Sequence, residues 1–166
     1  DLFTTLAHGG YPGHLYQTTY YQLYREKEDL PYLRSTLNYG GYVEGWALYA
    51  ELLSYDYAAN LLVSDTNKED YRLLFDIYRQ ERCVSLSMLS LLDIGIHYYG
   101  LTIDRVAELL EAHGIQDYDT ITDIYEYIVE EPANYPKYYW SYLEILSLKE
   151  EAKEKMDDYY SDYAFH

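Results

Sequence analysis

Cysteine is almost absent from this chain of 166 residues. The one cysteine, Cys83, has no second thiol to pair with, which excludes an intramolecular disulfide and is typical of a reducing compartment. No run of apolar residues reaches the length of about 18 that a membrane-spanning helix needs, and no charged and apolar leader opens the sequence. We therefore predict a cytoplasmic protein with no membrane partner.

Basic residues are also few. Twelve Lys and Arg stand against 29 Asp and Glu, which gives a formal net charge of −17 at pH 7. Because a field of that sign repels phosphate backbones and anionic lipid, we expect neither nucleic-acid nor membrane partners. Phenylalanine is scarce, with 3 residues, whereas tyrosine is abundant, with 25. Tyrosine buries a large ring but keeps a wet hydroxyl, which suits helix flanks, cleft walls and contact surfaces.

The two ends of the chain lack the features of a complete protein. It starts at Asp1 without a methionine, directly in an apolar helical pattern, and stops at His166 without a polar tail. No linker or repeat divides it, so we predict one helical domain over residues 1–166 that is part of a longer protein. A domain separated from the rest of its fold exposes an apolar face, through which we expect self-association.

Apolar residues recur at spacings of three and four along almost the whole chain, which predicts an all-α fold of about seven helices. Pro31 ends the second helix because proline disfavours helical geometry in the residue before it. Residues 65–70 offer caps for the next long helix, and Thr102 and His113-Gly114 bound a short one. The predicted central helix, over residues 68–99, is about 48 Å long. The predicted helices cover residues 1–9, 14–29, 39–63, 68–99, 103–113, 119–130 and 137–157.

A candidate zinc site lies near the start of the chain. His8, His14 and Glu44 supply the nitrogen and oxygen donors of a catalytic zinc, which takes three protein ligands and keeps a fourth position open. The histidines are six residues apart, so an ideal helix would leave their side chains about 120° apart around its axis. Pro12 and Gly13 lie between them, where proline breaks the hydrogen-bond ladder and glycine tolerates the resulting geometry. Two ordinary histidines are the alternative interpretation.

Two pairs of residues stand at helical spacing. Glu51 follows Glu44 by seven residues, so both project from one helix face, and we predict that Glu51 hydrogen-bonds a ligand histidine. Asp93 precedes His97 by four residues on the central helix, where a carboxylate can fix the tautomer of an imidazole. A structural Asp–His pair near a helix end fits the second spacing equally well.

Three segments resemble the C-terminal catalytic region of the bacterial domain-of-unknown-function family numbered 885, whose members look like gluzincin-type metallopeptidases. The segments are LAHGGYPGHLYQ over residues 6–17, YVEGWALYAE over 42–51 and DIGIH over 93–97. The second also resembles the segment that supplies the third zinc ligand in gluzincin aminopeptidases. The resemblance implies a zincin-like helical domain with one Zn²⁺, a peptide or small amide substrate, and an N-terminal helical region of the same protein as its partner.

The resemblance also implies roles for individual residues. The metal ligands would be His8, His14 and Glu44, with Glu51 as a supporting carboxylate. His97, oriented by Asp93, would contact the substrate or the developing oxyanion, and Tyr138 is a candidate phenol donor to the same oxyanion. Three other tyrosines of the same predicted helix compete with it: Tyr135, Tyr139 and Tyr142.

The sequence departs from the family pattern at position 9, where the family has the glutamate that acts as general base. Gly9 can neither take a proton from the attacking water nor pass one to the leaving amine. Loss of a general base costs on the order of 10²–10⁴-fold in rate. Pro136 and Ser141 also depart, since they stand where the family has an apolar residue and a glycine.

These observations support a zinc-dependent peptidase-like hydrolase that has little or no activity as written. The alternative is a metal-free helical interaction module whose tyrosine-rich cleft binds a peptide or a partner domain. A zinc-activated water also hydrolyses amides and esters that are not peptides, so the residues alone leave the bond that is cleaved open.

Overall fold

A computed structural model describes residues 2–61 and 68–166 of the chain. These residues form helices joined by short turns and contain no β-strand, which confirms the predicted all-α fold. The helices are α1 (Leu2–Gly9), α2 (His14–Lys27), α3 (Leu33–Thr36), α4 (Gly40–Leu61), α5 (Lys68–Tyr99), α6 (Ile103–Ala112), α7 (Tyr118–Glu130), α8 (Asn134–Met156) and α9 (Asp162–Phe165), with a 3₁₀ turn (Asp157–Tyr159) between the last two.

The predicted helices lie within a few residues of the observed ones. Helix α8 begins at Asn134 rather than at 137, so Pro136 occupies its first turn, where a missing N–H is tolerated. Helices α3 and α9 were not predicted, because four residues are too few to show an apolar period. Residue 1, the predicted helix end at 63 and the proposed cap residues 65–67 lie outside the described residues.

Helix α4 lies at the centre of the packing and contacts α1, α2, α5 and α8. It is apolar on nearly every face, which is typical of a helix surrounded by others, and Ala47, Leu48 and Ala58 are fully buried. Helix α5, the longest at 32 residues, packs against α4, α7 and α8. Two of the candidate ligands therefore lie on helices that contact α4, and the third, Glu44, lies on α4 itself.

Two apolar clusters hold the helices together. One joins α5, α6 and α7 through Leu92, Ile96, Val106, Leu110, Ile121 and Ile128. The other joins α4 and α5 through Leu48, Leu52, Tyr55 and Leu86, and tyrosines of α8 pack against it. The second cluster lies next to the candidate site, because Glu51 stands between its members Leu48 and Leu52 on α4.

Helices α4 and α8 cross very closely. A Cβ atom added to Gly45 would lie 2.5 Å from the Cβ of Ser141 and 2.8 Å from its carbonyl carbon. Only a residue without a side chain fits at position 45. Ser141 is accommodated because the opposing residue is glycine.

Some large apolar side chains remain on the surface. Leu2, Leu6 and Leu91 are 75%, 60% and 70% exposed. None of the described helices is long and apolar enough to cross a membrane. Self-association through the exposed apolar side chains stays a prediction.

The close crossing predicts the effect of one methyl group. Gly45→Ala should lower the free energy of unfolding by about 1–3 kcal/mol, because α4 and α8 must separate to admit the new Cβ. Gly9→Ala is the matched control: a Cβ at Gly9 meets none of the described atoms within 4 Å, so the better helix former should leave stability unchanged or raise it by up to about 1 kcal/mol. Chemical denaturation monitored by circular dichroism measures both. Equal stabilities of the two variants would contradict the proposed crossing.

Candidate metal centre

A tight turn brings the two histidines together. Helix α1 ends at Gly9, the chain reverses over residues 10–13, and α2 begins at His14. At Gly13 any Cβ atom would collide with the carbonyl oxygens of Ala7 and His8. Glycine thus lets the start of α2 lie directly against the end of α1, and the rings of His8 and His14 meet edge to face with centroids 4.8 Å apart. The expected backbone deviation between the histidines is present.

Glu44 completes a cluster with the two histidines. Its Oε2 lies 3.7 Å from His8 Nε2 and 3.4 Å from His14 Nε2. One donor atom from each of the three residues can be chosen so that all lie within 4.8 Å of one another. The three residues come from α1, α2 and α4, and the fold joins them although 36 positions separate the first from the last.

This donor set fits a zinc ion. Tetrahedral zinc with ligands at about 2.0–2.2 Å spaces its donor atoms by roughly 3.3–3.6 Å, close to the two observed distances. Glu44 Oε2 is buried and accepts no hydrogen bond from any described residue. A buried carboxylate oxygen without a donor is costly, and a bound cation would satisfy it.

Glu51 supports the cluster from within α4. Its Oε2 accepts a hydrogen bond from His8 Nδ1 at 2.8 Å, so Nε2 is the ring nitrogen that faces Glu44. Its Oε1 accepts from Arg82 Nε of α5 at 2.9 Å. Burial raises the pKa of Glu51, but the hydrogen bond from His8 and the charge of Arg82 outweigh it and hold the pKa below its ordinary value. The structure therefore brings Glu51 to His8, as predicted.

Arg82 is a site residue that sequence reasoning did not identify. A charged residue on a helix needs a partner where it is buried, but its position in the sequence does not say which one. A spacing of 31 positions between Glu51 and Arg82 carries no periodic signal. Only the packing of α5 against α4 makes them neighbours.

A cavity of about 580 Å³ opens beside His8 and Glu51. Tyr138 and Tyr135 of α8 line it, whereas Tyr139 and Tyr142 do not and pack against the apolar cluster of α4 and α5. Burial and the negative charge of Glu44 raise the pKa of Tyr138 above its ordinary value, which already lies well above neutral pH, so the phenol is a hydrogen-bond donor there. Of the four competing tyrosines, Tyr138 is thus both on the cavity wall and beside a candidate ligand.

Position 9 has room for a side chain. Gly9 is exposed at the end of α1, and a Cβ atom there meets none of the described atoms within 4 Å. Thr5, one turn earlier on the same helix face, lines the cavity. A carboxylate at position 9 would therefore project from the face of α1 that borders the cavity.

Asp93 and His97 lie together, and among the described residues neither has a hydrogen bond or an ion pair to His8, His14 or Glu44. Asp93 is 2% exposed, and its Oδ1 accepts from the backbone N–H of Ala133 at 3.0 Å and lies 3.8 Å from His97 Nε2. His97 Nε2 donates to the carbonyl oxygen of Ile128 at 2.8 Å. These bonds fasten α5 to the end of α7 and to the turn before α8. Contact of His97 with a substrate or an oxyanion stays a prediction.

Fold and site together define an all-helical protein with a candidate His–His–Glu metal centre. The chain belongs to the family described as "Bacterial protein of unknown function (DUF885)", whose model matches residues 1–166. No curated protein and no solved structure matches the chain. The family match agrees with the resemblance found in the sequence, and the family description assigns no activity.

The position of Glu51 predicts its effect on zinc affinity. Glu51→Ala removes the acceptor that orients His8, so zinc should bind about 10–100-fold more weakly, as is usual when the partner of a ligand histidine is lost. Ser54→Ala is the matched control, because Ser54 is equally buried on α4 and its hydroxyl donates only to the backbone carbonyl of Glu51. Titration with zinc against a competing chelator measures both affinities. A Glu51→Ala variant that binds zinc as tightly as Ser54→Ala would contradict the role of this carboxylate.

Proposed function

We propose that this chain is the metal-binding part of a zinc-dependent peptidase-like hydrolase, and that it has little or no activity as written. The observation that carries the proposal is the cluster of His8, His14 and Glu44, with the buried and unpartnered Oε2 of Glu44 inside it. Zinc is the expected metal because the donors are two imidazoles and one carboxylate.

Each side chain of the site has a task in this proposal. His8, His14 and Glu44 hold the ion, which when bound polarises a carbonyl group and acidifies a water ligand. Glu51 and Arg82 keep the His8 ring oriented. The cavity beside His8 receives the substrate, and the protonated phenol of Tyr138 donates a hydrogen bond to the oxygen on which negative charge develops.

The proposed inactivity follows from position 9. Neither Gly9 nor any backbone group near it can accept the proton of the attacking water. Peptide hydrolysis is slow without such a base, and the loss is on the order of 10²–10⁴-fold. Hydrolysis of non-peptide amides and esters with better leaving groups depends less on a general base. Such compounds should therefore be included among the test substrates.

The competing proposal is a metal-free interaction module. The exposed tyrosines favour it, since Tyr20, Tyr24 and Tyr42 are between 47% and 57% exposed, and tyrosine is enriched at protein interfaces. Zinc binding separates the two proposals, because the module has no use for the histidine cluster.

Zinc should raise the thermal stability of this chain. At a free zinc concentration about 100 times the dissociation constant, binding to the folded state adds about 2.7 kcal/mol. His14→Ala should abolish the rise in Tm. His113→Ala is the control and should retain it, because His113 is exposed at the end of α6 and bonds only the carbonyl of Leu109. Thermal unfolding with and without stoichiometric zinc gives the answer. The absence of any zinc-dependent rise in the unaltered chain would favour the metal-free module.

Restoring a carboxylate at position 9 should restore hydrolysis. Gly9→Glu should gain zinc-dependent cleavage of peptide substrates by about 10²–10⁴-fold over the unaltered chain, because it supplies the missing base. Gly9→Gln is the matched control: it has the same size and a similar helix propensity but cannot take a proton. Liquid chromatography of the peptide products, with and without a chelator, measures the gain. Equal rates for Gly9→Glu and Gly9→Gln would contradict the proposal that position 9 is the place of the general base.

A further inference from the structure

A second cavity, which the proposed metal chemistry does not use, lies between α2, α3 and the start of α4. Its volume is about 760 Å³. Five of its lining residues are tyrosines, and we call the cavity the tyrosine groove. The tyrosines are Tyr20, Tyr21, Tyr24, Tyr39 and Tyr42.

Two arginines line the tyrosine groove, Arg25 from α2 and Arg34 from α3. Within residues 2–61 and 68–166, neither guanidinium has an ion pair or a hydrogen bond to a side chain, whereas Arg79, Arg82 and Arg105 all pair with carboxylates. This is unexpected in a chain that has 29 acidic and 12 basic residues. Since guanidinium groups bind carboxylates with two parallel hydrogen bonds, two unpaired arginines in one groove indicate an anionic ligand.

A buried hydroxyl in the same groove also lacks a partner. The Oη of Tyr21 is buried, and no described residue hydrogen-bonds to it. The ring of Tyr21 is held edge to face against Tyr42, with centroids 6.4 Å apart. Buried polar atoms in folded proteins normally have a partner, and this hydroxyl, which is closed to solvent, can gain one from a ligand in the groove only if the ring turns.

The tyrosine groove lies along α2, on the helix face that begins at His14. Thr18, Tyr21 and Arg25 line it and follow His14 by four, seven and eleven positions, so all four residues share one helix face. On the α4 side of the tyrosine groove, the lining residue Val43 directly precedes Glu44 in the sequence. Eleven residues of helix correspond to about 16 Å, which an extended peptide covers with about five residues.

We infer that the tyrosine groove binds an extended acidic peptide, with a carboxylate of the peptide on Arg25 and Arg34, about five residues from the bond at the metal centre. The inference rests on the proposed function, which it deepens by naming the substrate class. Tyrosine rings supply rigid, amphipathic contacts along a peptide backbone. The net charge of −17 repels any ligand that is negative along its whole length, as a nucleic acid is, so the proposed peptide carries its carboxylate at one position, opposite the two arginines.

Calorimetric titration with synthetic peptides tests the inference. The probes are acetylated and amidated Ala-Ser octapeptides that carry one Glu, moved along the sequence, and the same set with Gln in its place. The chain with Gly9 leaves them intact during the titration, and zinc is present throughout. At the best position the Glu peptide should bind about tenfold more tightly than its Gln counterpart. Equal affinities across the whole series would overturn the inference.

Variants of the two arginines complete the test. Arg25→Gln/Arg34→Gln should abolish the preference for Glu, whereas Arg105→Gln, which removes an exposed arginine far along the chain, should retain it. If circular dichroism shows that the double variant is unfolded, the two single variants replace it, and each should reduce the preference. A preference that survives in the folded arginine variants would overturn the inference.

The outcome is distinguishable from failure of the proposed function. A normal zinc-dependent rise in Tm together with equal binding of Glu and Gln peptides overturns the acidic-peptide groove alone. A preference for Glu that depends on Arg25 and Arg34, in a chain that binds no zinc, supports the groove and overturns the proposed hydrolase.

Discussion

The carboxylate of Glu51 is the point on which the candidate metal centre depends. It is buried on α4, the helix that the others surround, and it accepts hydrogen bonds from His8 of α1 and Arg82 of α5. Burial alone would favour its neutral form, but the two donors keep it charged. The charge in turn fixes the His8 ring with one nitrogen toward Glu44. The orientation of the His8 ring and the charge of Glu51 therefore follow from this carboxylate and its two hydrogen-bond donors.

Much of the fold is predictable from the sequence because the helices are long and their apolar residues are periodic. The core positions of α6 and α7 are an example: Val106, Leu110, Ile121 and Ile128 recur at helical spacing, and all are fully buried. Short elements such as α3 have no period to detect. The depth of burial of α4 was also not predictable, because it depends on which neighbours surround it. The Gly45–Ser141 contact shows this, since two residues 96 positions apart set the distance between two helices.

The residues of the candidate site also differ in whether the sequence alone predicts them. His8, His14 and Glu44 lie on three different helices and were proposed from their donor chemistry and from the family resemblance, whereas the spacing of seven residues placed Glu51 on the helix face of Glu44. Arg82 was not, since its bond to Glu51 exists only in the packed structure. The Asp93–His97 pair was predicted, but its spacing could not show that both residues bond backbone groups of the segment 128–133. Local periodicity thus finds residues that share a helix, whereas partners on different helices need either a recognisable motif, as for the two histidines, or the tertiary fold, as for Arg82.

The open surroundings of Gly9 have a consequence at the level of the gene. Two of the glycine codons differ from the glutamate codons by a single base, and no described neighbour constrains what stands at position 9. Where one of these two codons encodes Gly9, one point mutation separates this chain from one that has the carboxylate required by the proposed hydrolase, and neither direction requires a compensating change in the core. The gain or loss of that carboxylate is then a single mutational step that does not depend on folding.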